Sequence, residues 1–269
     1  MTQELSLFQI DAFTDRTFGG NPAAVCPLEA WLSDETMQAI AAENNLSETA
    51  FIVPEADAPD GSSYSIRWFT PTVEVDLCGH ATLASGHVVF NHLAPTLSKV
   101  SFQSRSGPLA VLRDGDSLAL DFPSRPPQPL EGRANLEKVI GQKVLELLQA
   151  PNKGKVMAVL ENESAVRRAE PDLAGIRALD ADGLIITAKG DSVDFVSRYF
   201  VPQKGIDEDP VTGSAHSVLT PYWAAALGKT SMQALQVSIR LGTLQVKLEG
   251  DRVKISGKAV EYLRGKITL

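Results

Sequence analysis

Gly107-Pro-Leu-Ala-Val-Leu-Arg-Asp-Gly-Asp-Ser-Leu-Ala-Leu120 is matched, 135 residues later, by Gly242-Thr-Leu-Gln-Val-Lys-Leu-Glu-Gly-Asp-Arg-Val-Lys-Ile255. In both segments apolar residues alternate with other residues on either side of a Gly-Asp pair, which predicts two strands joined by a two-residue turn. Two further stretches match in the same order, residues 65–71 with 196–202 and residues 79–82 with 213–216. Three matches in one order indicate a duplicated fold with pseudo-twofold symmetry.

Each half also contains a helix of unusual composition. Residues 79–92 are small or apolar on nearly every side, which is typical of a buried helix. The matching helix, 213–227, contains Pro221 and is followed by Gly228, a residue suited to the left-handed position after a helix. The pattern predicts outer helices at 34–43, with Ser33 as N-cap, and at 136–149, and strands at 5–13, 46–53, 64–69, 100–103, 183–187 and 194–200.

These elements predict a mixed α+β protein of two pseudo-symmetric domains. Each domain would be a barrel-like, mostly antiparallel sheet around a central apolar helix. The segment Pro123-Ser-Arg-Pro-Pro-Gln-Pro129 is stiff and cannot join the interior of a sheet, so we place the domains at 1–124 and 125–269. The alternative is a proline-rich surface loop inside a single domain.

Composition narrows the classes of function. The chain has 269 residues, 43% of them apolar, a net charge of −8 and a pI near 5.1. This acidity argues against a nucleic-acid or membrane-surface partner, which would require a basic face. The sequence has neither an apolar run long enough for a membrane span nor the features of a signal peptide. Its two cysteines fit a reducing compartment, so we expect a cytoplasmic protein.

The starts of the two central helices are candidate anion sites. They read Cys78-Gly-His-Ala and Thr212-Gly-Ser-Ala. The unpaired N–H groups of a first helical turn attract a carboxylate, here near Gly79 in one half and near Gly213 and Ser214 in the other. Symmetry would allow both helix starts to face one cleft between the domains. Alternatively, the glycines only permit close packing of the helices.

Glu48 is the candidate acid/base. In Leu46-Ser-Glu-Thr-Ala-Phe-Ile-Val53 a strand places Glu48 on an otherwise apolar face, where desolvation raises the pKa of a carboxyl toward the range useful for proton transfer. It could equally be a strand-end glutamate in solvent, or the partner of a structural arginine. His80 lies in a first helical turn, where the positive helix end favours a neutral ring. Asp209 precedes the second helix and could serve only its dipole.

Other chemistry is less well supported. Cys78 could be a nucleophile because a helix N-terminus lowers the pKa of a thiol, but a buried cysteine is usually inert. Gly19-Gly-Asn-Pro lacks the phosphate-loop patterns, so we expect a turn there. The histidines show no metal-ligand spacing. We therefore expect no metal and no cofactor.

Five motifs together resemble the PhzF (phenazine biosynthesis) family: Phe18-Gly-Gly-Asn-Pro-Ala-Ala-Val25, Asn45-Leu-Ser-Glu-Thr-Ala-Phe51, Arg67-Trp-Phe-Thr-Pro71, Asp76-Leu-Cys-Gly-His-Ala-Thr82 and Asp209-Pro-Val-Thr-Gly-Ser-Ala215. The resemblance covers nearly the whole chain. It implies the diaminopimelate-epimerase-like fold, with the active site between two similar domains. It also implies that the C-terminal tail, about 260–269, returns to the first domain.

The resemblance assigns roles to the candidate residues. It makes Glu48 the proton-transferring residue and His80 and Asp209 its support, with Ser214 and the glycine amides around the substrate carboxylate. Epimerases of the wider fold use two cysteines, one at the start of each central helix. Here the second of these positions is Thr212, which excludes a two-thiol mechanism.

We therefore expect a cofactor-independent isomerase that shifts a proton at carbon in a small anionic metabolite, and we expect it to form a homodimer. One alternative is a metabolite-binding or regulatory module that has the same cleft but no turnover. The other is a hydrolase that uses Cys78. Incorporation of deuterium from solvent into a bound ligand distinguishes the first two hypotheses, and inactivation by thiol reagents would indicate the third.

Overall fold

The computed structural model describes residues 3–58, 60–152 and 154–269. The chain divides into two compact units: one comprises the residues up to 121 together with 256–269, and the other comprises 122–255. The division at 121/122 comes just before the proline-rich segment rather than within it. No helix in the described part of the chain is both long enough and apolar enough to span a membrane.

Both units combine a sheet with a few helices. The first unit contains β1 (Glu4–Ala12), β2 (Asn21–Pro27), α1 (Asp34–Asn44), β3 (Glu48–Pro54), β4 (Ser63–Phe69), β5 (Glu74–Val75), α2 (Gly79–Val88), β6 (Lys99–Ser104), β7 (Gly107–Asp114) and β8 (Ser117–Pro123). The second contains β9 (Gln128–Pro129), α3 (Arg133–Ile140), β10 (Val144–Gln149), β11 (Val156–Leu160), α4 (Glu163–Arg168), α5 (Leu173–Arg177), β12 (Leu184–Lys189), β13 (Phe195–Val201), β14 (Ile206–Asp209), α6 (Gly213–Leu227), β15 (Ser231–Gln236), β16 (Gly242–Glu249) and β17 (Arg252–Gly257). The last strand, β18 (Ala259–Thr268), belongs to the first unit.

The two units pair their strands in the same order. In the first, β1–β2 is antiparallel, β2–β3 parallel, β3–β4 antiparallel, β4–β6 parallel and β6–β7 antiparallel. In the second, β10–β11, β11–β12, β12–β13, β13–β15 and β15–β16 repeat that alternation. β18 extends the first sheet by pairing antiparallel with β1. The fold class expected from the sequence is confirmed, and the duplication extends to the strand pairing.

The segment that first suggested the duplication has the same local structure in both units. β7 and β8 are joined by a turn at Gly115, and β16 and β17 by a turn at Gly250. The φ angles of these glycines are +60° and +62°, in the left-handed region that a two-residue hairpin turn requires. The Gly-Asp pairs therefore mark equivalent turns.

A half-buried arginine–glutamate pair is also repeated. Arg67 on β4 makes two hydrogen bonds of 2.7 Å to Glu74 on β5, and Arg198 on β13 makes two of 2.8 Å to Glu208 on β14. Each guanidinium also lies over the aromatic ring two residues further along its strand. Planar, two-point pairing of this kind fixes geometry as well as charge. It holds each short strand in place just before the central helix.

The central helix of the first unit, α2, is buried along nearly its whole length and packs on β1, β2, β3 and β7. A π-helical turn, Val89–Leu93, continues it, within the single helix expected at 79–92. Contact with β7 is close at Gly86, where an added Cβ would lie 2.6 Å from a methyl carbon of Val111. Glycine is therefore needed at this position for the helix to approach the sheet.

The outer helix α1 packs on the opposite face of the sheet. Ser33 caps it, because its Oγ accepts a hydrogen bond from the Thr36 N–H, as the sequence predicted. Phe51 of β3 packs with Met37 and Ile40 of α1 in one apolar cluster. Successive strand residues point to opposite faces, so Glu48, which is three positions before Phe51, belongs to the face that is turned toward α2.

The prediction of a helix at 136–149 is correct up to residue 140 and wrong for residues 144–149, which form a strand. The helix α3 ends at Ile140, and Gly141 follows in the left-handed conformation with φ of +70°. Val144–Gln149 is a strand that pairs with β11. Its Leu-rich sequence suits a buried helix or a buried strand equally well, and the tertiary pairing decided between them.

We expect Gly86→Ala to destabilise the protein by about 1–3 kcal/mol, since overpacking displaces Val111 or the helix. Gly265→Ala is the matched control, because Gly265 lies on β18 with nothing within 4 Å of its added Cβ. The control should change the free energy of unfolding by less than about 0.5 kcal/mol. Urea unfolding of both variants measures the difference, and equal effects would contradict the close approach described here.

Candidate active site

The six residues predicted for the site form two groups, one in each unit. The first unit contains Glu48, Gly79 and His80. The second contains Asp209, Gly213 and Ser214.

Glu48 is the first residue of β3 and pairs, across a parallel ladder, with Ala23 of β2. It shares a face with Ala50 and Ile52, both fully buried. Its own side chain is 14% exposed. The Glu48 side chain thus lies at the margin of an apolar face and is nearly buried, with a small part of its surface exposed to solvent.

His80 supplies the charge partner that this carboxylate needs. It lies in the first turn of α2 and only 3% of its side chain is exposed. Its Nε2 is 3.1 Å from Glu48 Oε2, although the two groups are not aligned as a hydrogen bond. Two chain segments distant in sequence therefore meet here as a close, nearly buried ion pair.

The other ring nitrogen of His80 faces two polar side chains. Its Nδ1 lies 3.1 Å from Asn21 Nδ2 and 3.5 Å from Cys78 Sγ. Burial, followed by the negative charge of Glu48, raises the pKa of the Cys78 thiol to about 11. Cys78 therefore carries its proton at neutral pH, which weakens the nucleophile hypothesis.

The expectation of a neutral His80 ring is opposed by this geometry. Burial by itself lowers the pKa of His80. Cys78 and Glu48, which lie next to its two ring nitrogens, together raise it by more, so the net pKa lies well above the usual value of 6.5. An opposite charge at this distance outweighs the effect of the helix end. The raised pKa favours the protonated ring, in contrast to the neutral ring expected from the helix end.

Asn21 was missed as a site residue because Gly19-Gly-Asn-Pro suggested only a turn. It is fully buried at the start of β2, where its amide reaches His80. The preceding Gly20 has φ of +59°, and an added Cβ there would lie 2.0 Å from the Ala12 carbonyl oxygen. The predicted turn is present, and it directs the Asn21 side chain into the interior. The signal in the sequence was the pair of glycines immediately before a buried polar residue.

In the second unit a hydrogen-bonded loop precedes α6. Thr212 Oγ1 donates to Asp209 Oδ2 over 2.6 Å, and the Thr212 N–H donates to Gln236 Oε1 over 2.8 Å. Gln236 Nε2 in turn donates to the Asp209 carbonyl oxygen over 2.8 Å. The buried Gln236 amide thus fixes the loop that carries Asp209. No motif in the sequence marked Gln236.

Neither central helix is capped by its N-cap side chain. Cys78 and Thr212 make no such hydrogen bond, whereas Ser33, Asn162 and Asp172 cap the outer helices α1, α4 and α5. The first turns at Gly79–His80 and Gly213–Ser214 therefore keep the anion-binding character predicted from the sequence. Binding of an anion there stays a prediction.

The duplication is asymmetric at the site. Thr49 pairs with Phe69 in the first unit and Leu184 with Phe200 in the second, so the position equivalent to Glu48 is Gly183. Gly183 has φ of +146°, and an added Cβ would lie 2.8 Å from the Tyr199 hydroxyl. Similarly, Ser214 takes the place of His80. Only the first unit therefore contains a carboxylate–histidine pair at this position.

Comparison with known proteins agrees with this geometry. The sequence profile described as "Phenazine biosynthesis-like protein" (PhzC-PhzF) matches residues 10–265. The chain belongs to the PhzC-PhzF family. A Pseudomonas aeruginosa relative named "Uncharacterized isomerase" is 49% identical over 99% of this chain and 100% of its own. The crystal structure of an Enterococcus faecalis PhzF-family protein is 45% identical, covers 99% of this chain and 100% of its own, and has a TM-score of 0.93.

More distant solved structures are similar to this chain in fold only. The crystal structure of a hydroxyproline epimerase from Agrobacterium vitis has a TM-score of 0.64 at 12% identity and covers 99% of this chain and 93% of its own. The family resemblance read from five motifs is confirmed, as is the epimerase-like fold that it implied.

The PhzC-PhzF chain should lose stability in acid because of His216 in the first turn of α6. Its Nδ1–H donates to the Thr212 carbonyl oxygen over 2.8 Å, and burial lowers its pKa to about 4. The unfolded chain takes up this proton near pH 6.5 and the folded chain only near pH 4. The contribution of His216 to the free energy of unfolding is therefore fully present above pH 6.5. It is lost as the pH falls from 6.5 to 4, by up to about 3 kcal/mol.

Urea unfolding of the wild type and His216→Asn at pH 7 and pH 4.5 measures this contribution. Asparagine keeps a donor for Thr212 but does not titrate. The variant should lose less stability between the two pH values than the wild type. Equal losses would contradict the assignment.

Proposed function

We propose that the chain is an isomerase that moves a proton from one carbon to another within a small, carboxylate-bearing metabolite, with Glu48 as the acid/base. The observation that carries the proposal is the pairing of a nearly buried Glu48 carboxylate with His80, 3.1 Å away, at the margin of an apolar face. A second argument is the family itself, whose Pseudomonas aeruginosa member is named an isomerase.

Glu48 has the properties that a carbon base needs. A carboxylate with few water contacts is a stronger base toward a C–H group than a fully hydrated one, provided that a cation keeps it ionised in the free enzyme. His80 Nε2, 3.1 Å from Glu48 Oε2, is placed to act as that cation when its ring is protonated. The remaining 14% exposure of the Glu48 side chain leaves a path by which a substrate could approach.

The proton shift is balanced within the substrate. Glu48 takes the proton of an acidified C–H, and the electron pair of that bond stays on the substrate as a delocalised anion. The same carboxyl group then returns the proton to another carbon of that anion. No electrons leave the molecule, so this reaction needs no redox partner and no cofactor.

Hydrogen-bond donors stabilise the anion and hold the substrate. His80 Nε2 is placed to donate as negative charge develops next to Glu48. The uncapped first turns at Gly79–His80 and at Gly213–Ser214 each offer N–H groups to a substrate carboxylate. Asp209 holds the loop before α6 through Thr212, so we assign it a supporting role.

Glu48→Gln tests the central role. The amide keeps the shape of the side chain but cannot carry a proton, so turnover should fall by roughly 10²–10⁴-fold. Because the substrate carboxylate is held by backbone N–H groups, ligand affinity should change little. The assay is incorporation of deuterium from solvent into carbon, followed by NMR on a panel of small unsaturated and amino carboxylic acids.

Glu43→Gln is the matched control, since Glu43 lies exposed near the end of α1 and undergoes the same chemical change. It should exchange deuterium at the wild-type rate. Undiminished exchange in a folded Glu48→Gln variant would remove Glu48 from the mechanism. A ligand bound by the wild type without any exchange would instead support a binding module.

Cys78→Ser tests the hydrolase alternative. We expect the variant to keep its exchange activity within about tenfold of the wild type, because the thiol is protonated at neutral pH and its counterpart in the second unit is Thr212. The measurement is the same deuterium assay, with folding checked by circular dichroism. Loss of activity by several orders of magnitude in a folded variant would revive a covalent thiol mechanism.

A further inference from the structure

Two buried polar atoms of the site, one on Glu48 and one on His80, lie next to each other without forming a hydrogen bond. Glu48 Oε2 and His80 Nε2 are 3.1 Å apart, yet neither has a hydrogen-bond partner among the residues that the structure describes. A ring N–H directed at the oxygen would have satisfied both. Since their interaction is not aligned, both atoms keep bonding capacity for a third group, and a buried polar atom without a partner is unfavourable.

A third donor atom lies close to this pair. One ligand atom each of Glu48, Cys78 and His80 can be chosen so that all three lie within 4.8 Å of one another. Carboxylate oxygen, imidazole nitrogen and thiolate sulfur are the donors that zinc takes in proteins, at bond lengths that separate neighbouring ligands by roughly 3.3–3.8 Å. The distance between Glu48 Oε2 and His80 Nε2 is already near this range. The Cys78 sulfur lies beside the other ring nitrogen, 3.5 Å from Nδ1, so the Cys78 side chain must turn toward Nε2 to join the ion.

The outer contacts of the cluster also suit a metal ligand. A zinc-binding histidine usually has its second ring nitrogen held by a polar group, which fixes the orientation of the ring. Here Asn21 lies 3.1 Å from His80 Nδ1. Turned about its own axis, the Asn21 amide presents an oxygen to an Nδ1–H, since its oxygen and nitrogen are geometrically interchangeable. The His80 ring is therefore oriented before any ion arrives.

We propose that Glu48, Cys78 and His80 form a three-ligand site for Zn²⁺ or a similar thiophilic divalent cation. The sulfur–metal bond forms as the S–H bond of Cys78 breaks, and the nitrogen–metal bond forms as the His80 ring gives up its Nε2 proton; both protons leave to solvent. Water or a carboxylate of a small metabolite takes the fourth position. Resting on the proposed function, we further infer that the bound ion inhibits turnover, because it occupies the carboxylate oxygen that must carry the proton.

Titration of the chelator-treated protein with Zn²⁺ by calorimetry, and with Co²⁺ by absorption spectroscopy, tests the site without any substrate. We expect one ion per chain. With Co²⁺ we also expect a thiolate-to-metal charge-transfer band. Removing one of three ligands should weaken binding more than the 10–100-fold typical of an outer contact, so Cys78→Ser and His80→Gln should each lose about 100-fold or more. The band should disappear in Cys78→Ser.

Two variants serve as controls. Cys26→Ser removes the other buried free cysteine, which lies in the cluster beneath α1, and His92→Gln removes the histidine that pairs with Glu261. Both should bind the ion as the wild type does and keep the charge-transfer band. Circular dichroism confirms folding, and Cys78→Ala provides a second variant if the serine is poorly tolerated.

The proposal is overturned if the wild type binds neither ion at one equivalent, or if folded Cys78→Ser and His80→Gln bind as tightly as the wild type. Loss of binding in His92→Gln would place the ion elsewhere and also overturn it. These outcomes are independent of the deuterium assay. If the ion binds as expected but Glu48→Gln exchanges deuterium normally, the metal site stands and the proposed isomerase mechanism fails.

Discussion

Burial of a helix that has no polar face is the constraint on which the first unit depends. Such a helix is stable only when strands cover it, and α2 is covered by β1, β2, β3 and β7. Close approach requires Gly86 against Val111. The same close packing places the first turn of the helix, which includes His80, in the interior. A buried imidazole needs polar partners, and the surrounding strands supply Glu48 and Asn21 from their first residues.

The polar cluster is therefore a consequence of packing as well as a requirement of chemistry. A nearly buried ion pair contributes little net stability, because desolvation offsets most of the attraction. Removing one partner is nevertheless costly, since the other charge stays buried. The Glu48–His80 pair is best understood as a device that fixes one arrangement of helix and sheet. The same arrangement leaves one polar atom of each side chain without a hydrogen-bond partner among the described residues.

The second unit keeps the framework and changes the chemistry. Its strands pair in the same order, and its arginine–glutamate pair repeats that of the first unit with nearly the same distances. At the site, however, Gly183 replaces the carboxylate, and the Tyr199 hydroxyl occupies the space where a side chain would have been. The Gln236 amide orders the loop before α6 instead. The first unit thus contains the Glu48–His80 pair, and the second contains an ordered loop before an uncapped helix start.

The sequence by itself determined the duplication, both central helices, the cap at Ser33 and the Gly-Asp turns, because each depends on contacts between near neighbours in the chain or on a pattern of period two or 3.6. It also identified Glu48 and His80 as candidates. Only the tertiary structure decided that Val144–Gln149 is a strand, that Asn21 lies next to His80 and that the pKa of His80 is raised. These features depend on pairing between β10 and β11 and on charges that meet across the parallel β2–β3 ladder and the start of α2. Such contacts join residues far apart in the chain, and no local pattern records them.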